Sequence, residues 1–372
     1  TSLSLDTSDY ATLKTGNITG SESLQSVTIT ADGAEADVEV GSIVDAPNVS
    51  SVSITASGLN ADVEFGGGGE VGAIGASAAA SLTSISLAAS NGADIDTTGT
   101  ADGTEFDIET VQDVTSFTVS ADGAGTTNTV GALGANDLEV GTVSFSATNE
   151  GAVDLETSAY TLNVDYGFNT ITLETSGTGS SLNADQLTQD AGSLVAANEA
   201  SIYIDASGAS STINLDDSSL GGALLDVVSI NVGGYATLSM AGDGADTGTD
   251  EGISDEVSDI VATGDIGTLS IVVEENGTFN FDDPDLANDT TDAADTLRIA
   301  AEIISTFTYN IGDSEAIDGG LLLDIEGASA EAGAEPTIQT INITMADMGN
   351  ETDFNADGED LLLVDTTVMI EA

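Results

Sequence analysis

One short pattern recurs along the chain and limits what it can fold into: an apolar residue, a spacer, Ser or Thr, then apolar-polar-apolar. It reads LQSVTIT at 24–30, VSSVSIT at 49–55, LTSISLA at 82–88 and VTSFTVS at 114–120. VGTVSFS (140–146), FNTITLE (168–174), EASIYID (199–205, opening on Glu199) and LDVVSIN (225–231, with Val227 in the Ser/Thr slot) continue it. IGTLSIV (266–272), ADTLRIA (294–300) and IQTINIT (338–344) are the last copies. From Val27 through Val52, Ile85, Phe117, Val143, Ile171, Ile202, Val228, Leu269, Leu297 and Ile341, the intervals are 25, 33, 32, 26, 28, 31, 26, 41, 28 and 44. Period-2 alternation makes each unit a strand, and a regular spacing of this size means stacked units.

A second alternating segment follows the first, usually after a Gly-containing turn such as Ala31-Asp32-Gly33, Ser57-Gly58 or Asp122-Gly123. Glycine supplies the positive φ that such turns require. The second segments read AEADVEV (34–40), LNADVEF (59–65), GADIDTT (92–98), GAVDLET (151–157), STINLDD (211–217), GTFNFDD (277–283) and ETDFNAD (351–357). Two strands and a variable third segment per unit of about 30 residues predict an all-β fold, a right-handed parallel β-helix or β-solenoid with repeats of about 25–33 residues. The competing reading is a row of antiparallel β-sandwich domains, which needs hairpins and a more aromatic core. Only 183–200 and 292–304 have helix-forming composition. The expected organisation is an N-terminal strand or cap (1–23), repeats (24–241 and 265–311), acidic insertions (242–264 and 312–336) and a C-terminal repeat with cap (337–372).

Composition agrees with many short strands around a thin core. Hydrophobic residues make up 40% of the chain, too many for a disordered acidic tail, yet only 15 are aromatic. Charge is extreme: 65 acidic residues face Lys14 and Arg298, and there is no His. Salt bridges therefore cannot hold the fold together, and self-repulsion must be met by bound counter-ions or strong screening. Nucleic acid and anionic lipid are excluded as direct partners, except through a metal bridge. The lack of Cys removes disulfides and thiol chemistry together. No stretch approaches the roughly 18 uncharged apolar residues of a membrane-spanning helix. A start at Thr1 without a basic-then-apolar leader reads as a mature secreted form, although a trimmed chain would look the same.

In the second segments the apolar residues point to the core, so the acids between them point out. This predicts outward pairs Asp37 and Glu39, Asp62 and Glu64, Asp94 and Asp96, Asp154 and Glu156, Asn214 and Asp216, Asn280 and Asp282, and Asp353 and Asn355. Stacked in register, such acids form columns with a rung spacing of about 4.8 Å, and facing carboxylates repel. A Ca2+ ion, with oxygen ligands at roughly 2.3–2.6 Å, spans about one rung and reverses the sign of the interaction. A solvated acidic face is the plain alternative. Three loops are further cation candidates. Asp353, Asn355, Asp357 and Asp360 match the start of an EF-hand-type loop but lack Glu at its twelfth position, where Val364 stands. Asp282, Asp283, Asp285 and Asp289, with Asn288 and Asp292, form the densest cluster. Asp243, Asp246 and Asp250 lie in a Gly-spaced loop, and Asp102 with Asp107 is a weaker candidate. Ligand sets made only of oxygen favour calcium over zinc, copper or iron. Six N-x-S/T sequons, at Asn17, Asn48, Asn276, Asn288, Asn342 and Asn350, permit glycosylation without arguing for it.

Units such as FNTITLETSGTGSSLNAD (168–185) and IGTLSIVVEENGTFNFDD (266–283) resemble the β-solenoid repeats of Gram-negative surface-layer proteins. The similarity runs from about Leu24 to the end and consists of repeat style and composition. It implies a secreted protein that assembles with copies of itself into a calcium-dependent cell-surface lattice, with calcium bridges to envelope glycolipid as a possible anchor. The G-G-x-G-x-D calcium repeat of some members is missing, and Gly66-Gly67-Gly68-Gly69 is not an instance of it.

Composition argues against an enzyme. Without His or Cys there is no His general base and no Ser-His-Asp triad. Lyases on β-helices use basic residues, and here only Lys14 and Arg298 are available. Paired carboxylates can hydrolyse glycosides, but among 65 acids no pair stands out. Two alternatives stay open beside the surface layer: a secreted adhesin or matrix filament subunit, and, more remotely, a halophilic polysaccharide-acting enzyme.

Overall fold

The computed structural model describes residues 1–19, 23–44, 48–65, 73–75, 83–97, 106–109, 114–131, 133–135, 140–155, 161–164, 168–184, 187–189, 199–216, 218–222, 224–240, 259–262, 264–274, 276–280, 296–301, 303–311, 317–318, 320–324, 337–345 and 367–371. Among them the chain winds as a β-solenoid and forms no helix. Successive coils lay their strands on three parallel sheets. The long sheet has thirteen strands, from Ser2–Ser8 to Thr367–Glu371. The second has eleven, from Thr12–Thr15 to Ile317–Asp318, and the third has eleven, from Ile18–Thr19 to Gly320–Asp324. Pairing is parallel throughout, which rules out the sandwich alternative.

Stacking is residue on residue. In the long sheet Val27 lies over Val52, then Ile85, Phe117, Val143 and Ile171. Alternation along each strand sends these side chains inward, and the inward residues of all three sheets merge into one buried core. The core is narrow, so large residues are staggered. Phe117 stands between Ile85 and Val143, while Phe145 stands one inward position further along, between Val119 and Leu173. Their rings meet edge to face, 6.0 Å between centroids. The third inward position is small in most coils (Ala31, Ala56, Ala89, Ala121, Ala147, Ala206), which leaves room for the chain to turn towards the second sheet.

That turn stacks as closely as the strands do. The Gly33 amide donates to the Ser57 carbonyl at 2.8 Å, and the Ser207 amide to the Thr175 carbonyl at 2.8 Å, so the ladder continues around the corner. Gly177 (φ +82°) and Gly208 (φ +102°) lie on successive coils, and a Cβ on Gly208 would sit directly on the Gly177 carbonyl oxygen. Only glycine meets both demands.

The repeat differs from the sequence pattern in four places. Thr296–Ala300, counted above as a long-sheet copy, belongs to the third sheet, and the next long-sheet strand is Ile303–Ile311. The register therefore steps from Leu269 to Phe307 and on to Ile341, intervals of 38 and 34 residues in place of 28 and 44. Residues 1–19 carry a strand of every sheet, so this segment is a coil rather than a lone cap strand. The two acidic insertions contain third- and second-sheet strands, Asp259–Ala262, Ile317–Asp318 and Gly320–Asp324. The stretches of helix-forming composition hold strands too, including Thr188–Gln189 and Thr296–Ala300. β-branched and inward-stacked residues override helix propensity there.

Gly208→Ala should lower stability by about 1–3 kcal/mol, because it combines a left-handed backbone with a backbone collision. Gly16→Ala, where a Cβ meets nothing within 4 Å, should leave stability unchanged. Denaturant unfolding of the two variants checks the contrast.

Candidate functional site

The outward face of the second sheet carries the densest described group of charge. Its strands Thr12–Thr15, Asp37–Val40, Asp62–Phe65 and Asp94–Asp96 pair in register. Leu13, Val38, Val63 and Ile95 stack toward the core, and the residues on either side of each point out. One outward column runs Asp37, Asp62, Asp94, and the other runs Glu39, Glu64, Asp96. Six carboxylates thus occupy three adjacent rungs about 4.8 Å apart.

Lys14 closes one end of the second column. It lies one rung before Glu39, and its Nζ donates to Glu39 Oε2. This bond, more than any neighbouring charge, raises the Lys14 ammonium above its ordinary pKa. The middle rung bears most of the repulsion. Asp62 is pushed up to about 6, by burial first and then by the charges of Asp37 and Asp94 on the adjoining rungs. Glu64 is also raised, by burial and then by Glu39 and Asp96, with Lys14 pulling the other way.

Beyond Asp96 the columns change character. The first becomes Thr127, Ala152, Ser181, Thr212, Thr237 and Thr278, and carries no charge. The second continues through Thr129, Asp154, Asn183, Asn214, Ser239 and Asn280. There an amide ladder takes over: Asn183 Nδ2 donates to Asp154 Oδ1 at 3.1 Å, and Asn214 Nδ2 to Asn183 Oδ1 at 3.2 Å. Asp154, Asn214 and Asn280 therefore align with Asp96, not with Asp94, and the pairing expected from their sequences shifts by two residues. Asp216 lies past its strand, where Ser239 Oγ donates to its Oδ1 at 2.7 Å.

Acids elsewhere are given donors. On the long-sheet corner Ser57 Oγ donates to Asp32 Oδ1 at 2.6 Å. Asp122 Oδ1 accepts from Thr148 Oγ1 at 2.6 Å and from Asn149 Nδ2 at 2.8 Å, and these bonds hold its carboxyl below the ordinary aspartate range. Sequence reading passed over these corner pairs, although Asp-Gly turns mark them, and also passed over Lys14 as the partner of Glu39. An alternating Thr12-Leu13-Lys14-Thr15 one coil earlier was the available signal.

The columns supply oxygen ligands in adjacent pairs, suited to an ion that bridges rungs and completes its shell with water. Among the described residues no group of three or more acids converges into a ready-made metal centre. Asp243, Asp246, Asp250, Asp282, Asp283, Asp285, Asp289, Asp353, Asn355, Asp357 and Asp360 lie outside the described residues, as do Asp102 and Glu156. Asp107 falls in the third-sheet strand Phe106–Glu109, away from these columns. Arg298 is the register partner of Asp259 and Leu322 in the third sheet.

The raised pKa of Asp62 has a definite sign. Its native form holds a proton more tightly than the unfolded chain does, so this group's contribution to stability falls as pH rises from about 4 through about 6. Asp62→Asn should therefore match the parent near pH 4 and exceed it by about 0.2–1 kcal/mol at pH 7 in metal-free buffer. Thermal unfolding across that range checks the divergence. Comparison with protein-family models, with curated proteins and with solved structures finds no match for this chain.

Proposed function

We propose that this chain is a secreted structural protein that assembles with copies of itself into a calcium-dependent coat at the cell surface. The observation that carries the reading is the pair of in-register acid columns over Asp37, Asp62, Asp94 and Glu39, Glu64, Asp96. Only Lys14 offers them a cationic side chain, at one end of one column. A stack of like charges is a standing cost to the fold, and a divalent ion shared between rungs, or between copies, turns it into cohesion. A continuous rod with a buried core is a scaffold by construction, and its repetitive faces offer the same contacts many times over.

No catalytic role enters this reading. The chain has no His or Cys, and six of its described acids form ladders. Among the described residues no helix is long and apolar enough to cross a membrane. Contact with envelope glycolipid would use the same chemistry, calcium held between protein carboxylates and anionic head groups. A filament or adhesin subunit would share these columns and differ only in contact geometry: a heterologous contact that does not close gives a fibre, and several contacts per copy give a layer.

Calcium titration followed by scattering and circular dichroism tests the proposal. Millimolar calcium should stabilise the fold and drive assembly, EGTA should reverse both, and equal ionic strength from NaCl should reproduce neither fully. Asp62→Asn combined with Glu64→Gln should raise the metal-free melting temperature and shrink the calcium-induced rise. Metal-free protein in dilute buffer that keeps both its shape and its self-association would refute the proposal.

A further inference from the structure

The long sheet turns a different surface outward. With 65 acids against two bases, two copies can approach closely only where carboxylates are not driven together. Five consecutive strands, Ser26–Asp32, Ser51–Ser57, Ser84–Ser90, Val114–Asp122 and Val140–Thr148, pair in register and supply such a place. The central outward column reads Thr28, Ser53, Ser86, Thr118, Ser144, and the columns on either side of it are hydroxyl residues too, except for one alanine, Ala88. No charged residue stands in these three columns over the five rungs.

The patch has defined borders. One rung earlier Asp6 enters, and one and two rungs later Glu174 and Asp205 enter, all in the same outward column. The pairing register shifts between Ala200 and Ser201, where exposed Tyr203 also interrupts the central column. Along the corner edge Asp32 and Asp122 are bound by Ser57, Thr148 and Asn149, so their carboxylates are already satisfied within the chain. The acid columns of the second sheet lie on another side of the coil.

We infer that this uncharged hydroxyl face is where a second copy of the chain docks, face to face, an inference that rests on the self-assembly proposed above. A hydroxyl can donate one hydrogen bond and accept two, so the face is complementary to itself, as a two-fold contact requires, although Thr118 Oγ1 already donates to the Ile85 carbonyl at 3.4 Å. Its equal rung spacing lets two copies mesh over several rungs. The three columns span five residues over five rungs, about 400 Å² per copy by strand geometry. That is below the ~800 Å² per partner of a standard stable complex. The contact therefore works with calcium bridges elsewhere, as one of several in an assembly, and leaves the acidic columns free to hold ions.

The chain lacks cysteine, so one introduced thiol reports on one face. Full-length Ser86→Cys, at the centre of the patch, and Thr237→Cys, outward on the second sheet, are each assembled with calcium and treated with a short bismaleimide. Ser86→Cys should give covalent dimers and Thr237→Cys should stay monomeric. Ser86→Asp, whose carboxylate keeps Ser53 and Thr118 as hydroxyl neighbours, should fold normally by circular dichroism and need at least about tenfold more protein to assemble, since like charges would meet across the contact. Wild type that assembles while Ser86→Cys fails to cross-link, or while Ser86→Asp assembles at the parent concentration, overturns this face alone. Wild type that does not assemble with calcium overturns the proposed function, and this inference with it.

Discussion

Parallel stacking in register, interrupted in the long sheet between Ala200 and Ser201, is the constraint on which the rest of this molecule depends. It satisfies the backbone of each coil by hydrogen bonds to the coils on either side and places every side chain over its counterpart. Inside, this is favourable: Val over Val and Ile over Ile build one narrow buried core. Outside, the same rule multiplies whatever chemistry the sequence places there. Hydroxyl over hydroxyl is harmless, and amide over carboxylate is favourable, as with Asn183 on Asp154. Carboxylate over carboxylate is repulsive, and at the centre of three such rungs burial and then the neighbouring charges raise the pKa of Asp62.

The distribution of donors shows that this repulsion is local. Asp32, Asp122, Asp154 and Asp216 each have a neighbouring hydroxyl or amide that donates to them. Asp37, Asp62 and Asp94 face one another across successive rungs instead. If these six acids hold divalent ions as proposed, the same arrangement that is costly in dilute, metal-free buffer becomes cohesive, and stability then depends on the medium.

Much of this was legible in the sequence, for a physical reason. Strands buried on one face must alternate, and coils of similar length must repeat, so SVTIT, SVSIT and SISLA announced both the strand and the stack. Where the inward residue is polar the pattern went silent. The strand Thr127–Thr129 carries Asn128 in the position held by Ile95 and Val153. Asn128 is fully buried, its Nδ2 donating at 3.3 Å to the carbonyls of Leu87 and Ser120, and no apolar centre marked that strand. The motif ADTLRIA misled in the opposite direction, because a third-sheet strand alternates just as a long-sheet strand does, and only pairing tells them apart. The acid columns were readable from phase, but their limits were not: Asp154 shares a strand pattern with Asp94 yet sits two residues along in register.

The third sheet tolerates what the other two do not. Its strands run from two to five residues, and coil lengths along the long sheet vary from 24 residues, between Leu3 and Val27, to 41, between Val228 and Leu269. In the longest coil the extra residues lie in the sequence between Thr237–Ser239 and Asp259–Ala262, while long-sheet pairing continues from Leu225 to Val273. That connection between long-sheet strands works as an expansion joint: the length of a coil can change there while the long sheet keeps its pairing.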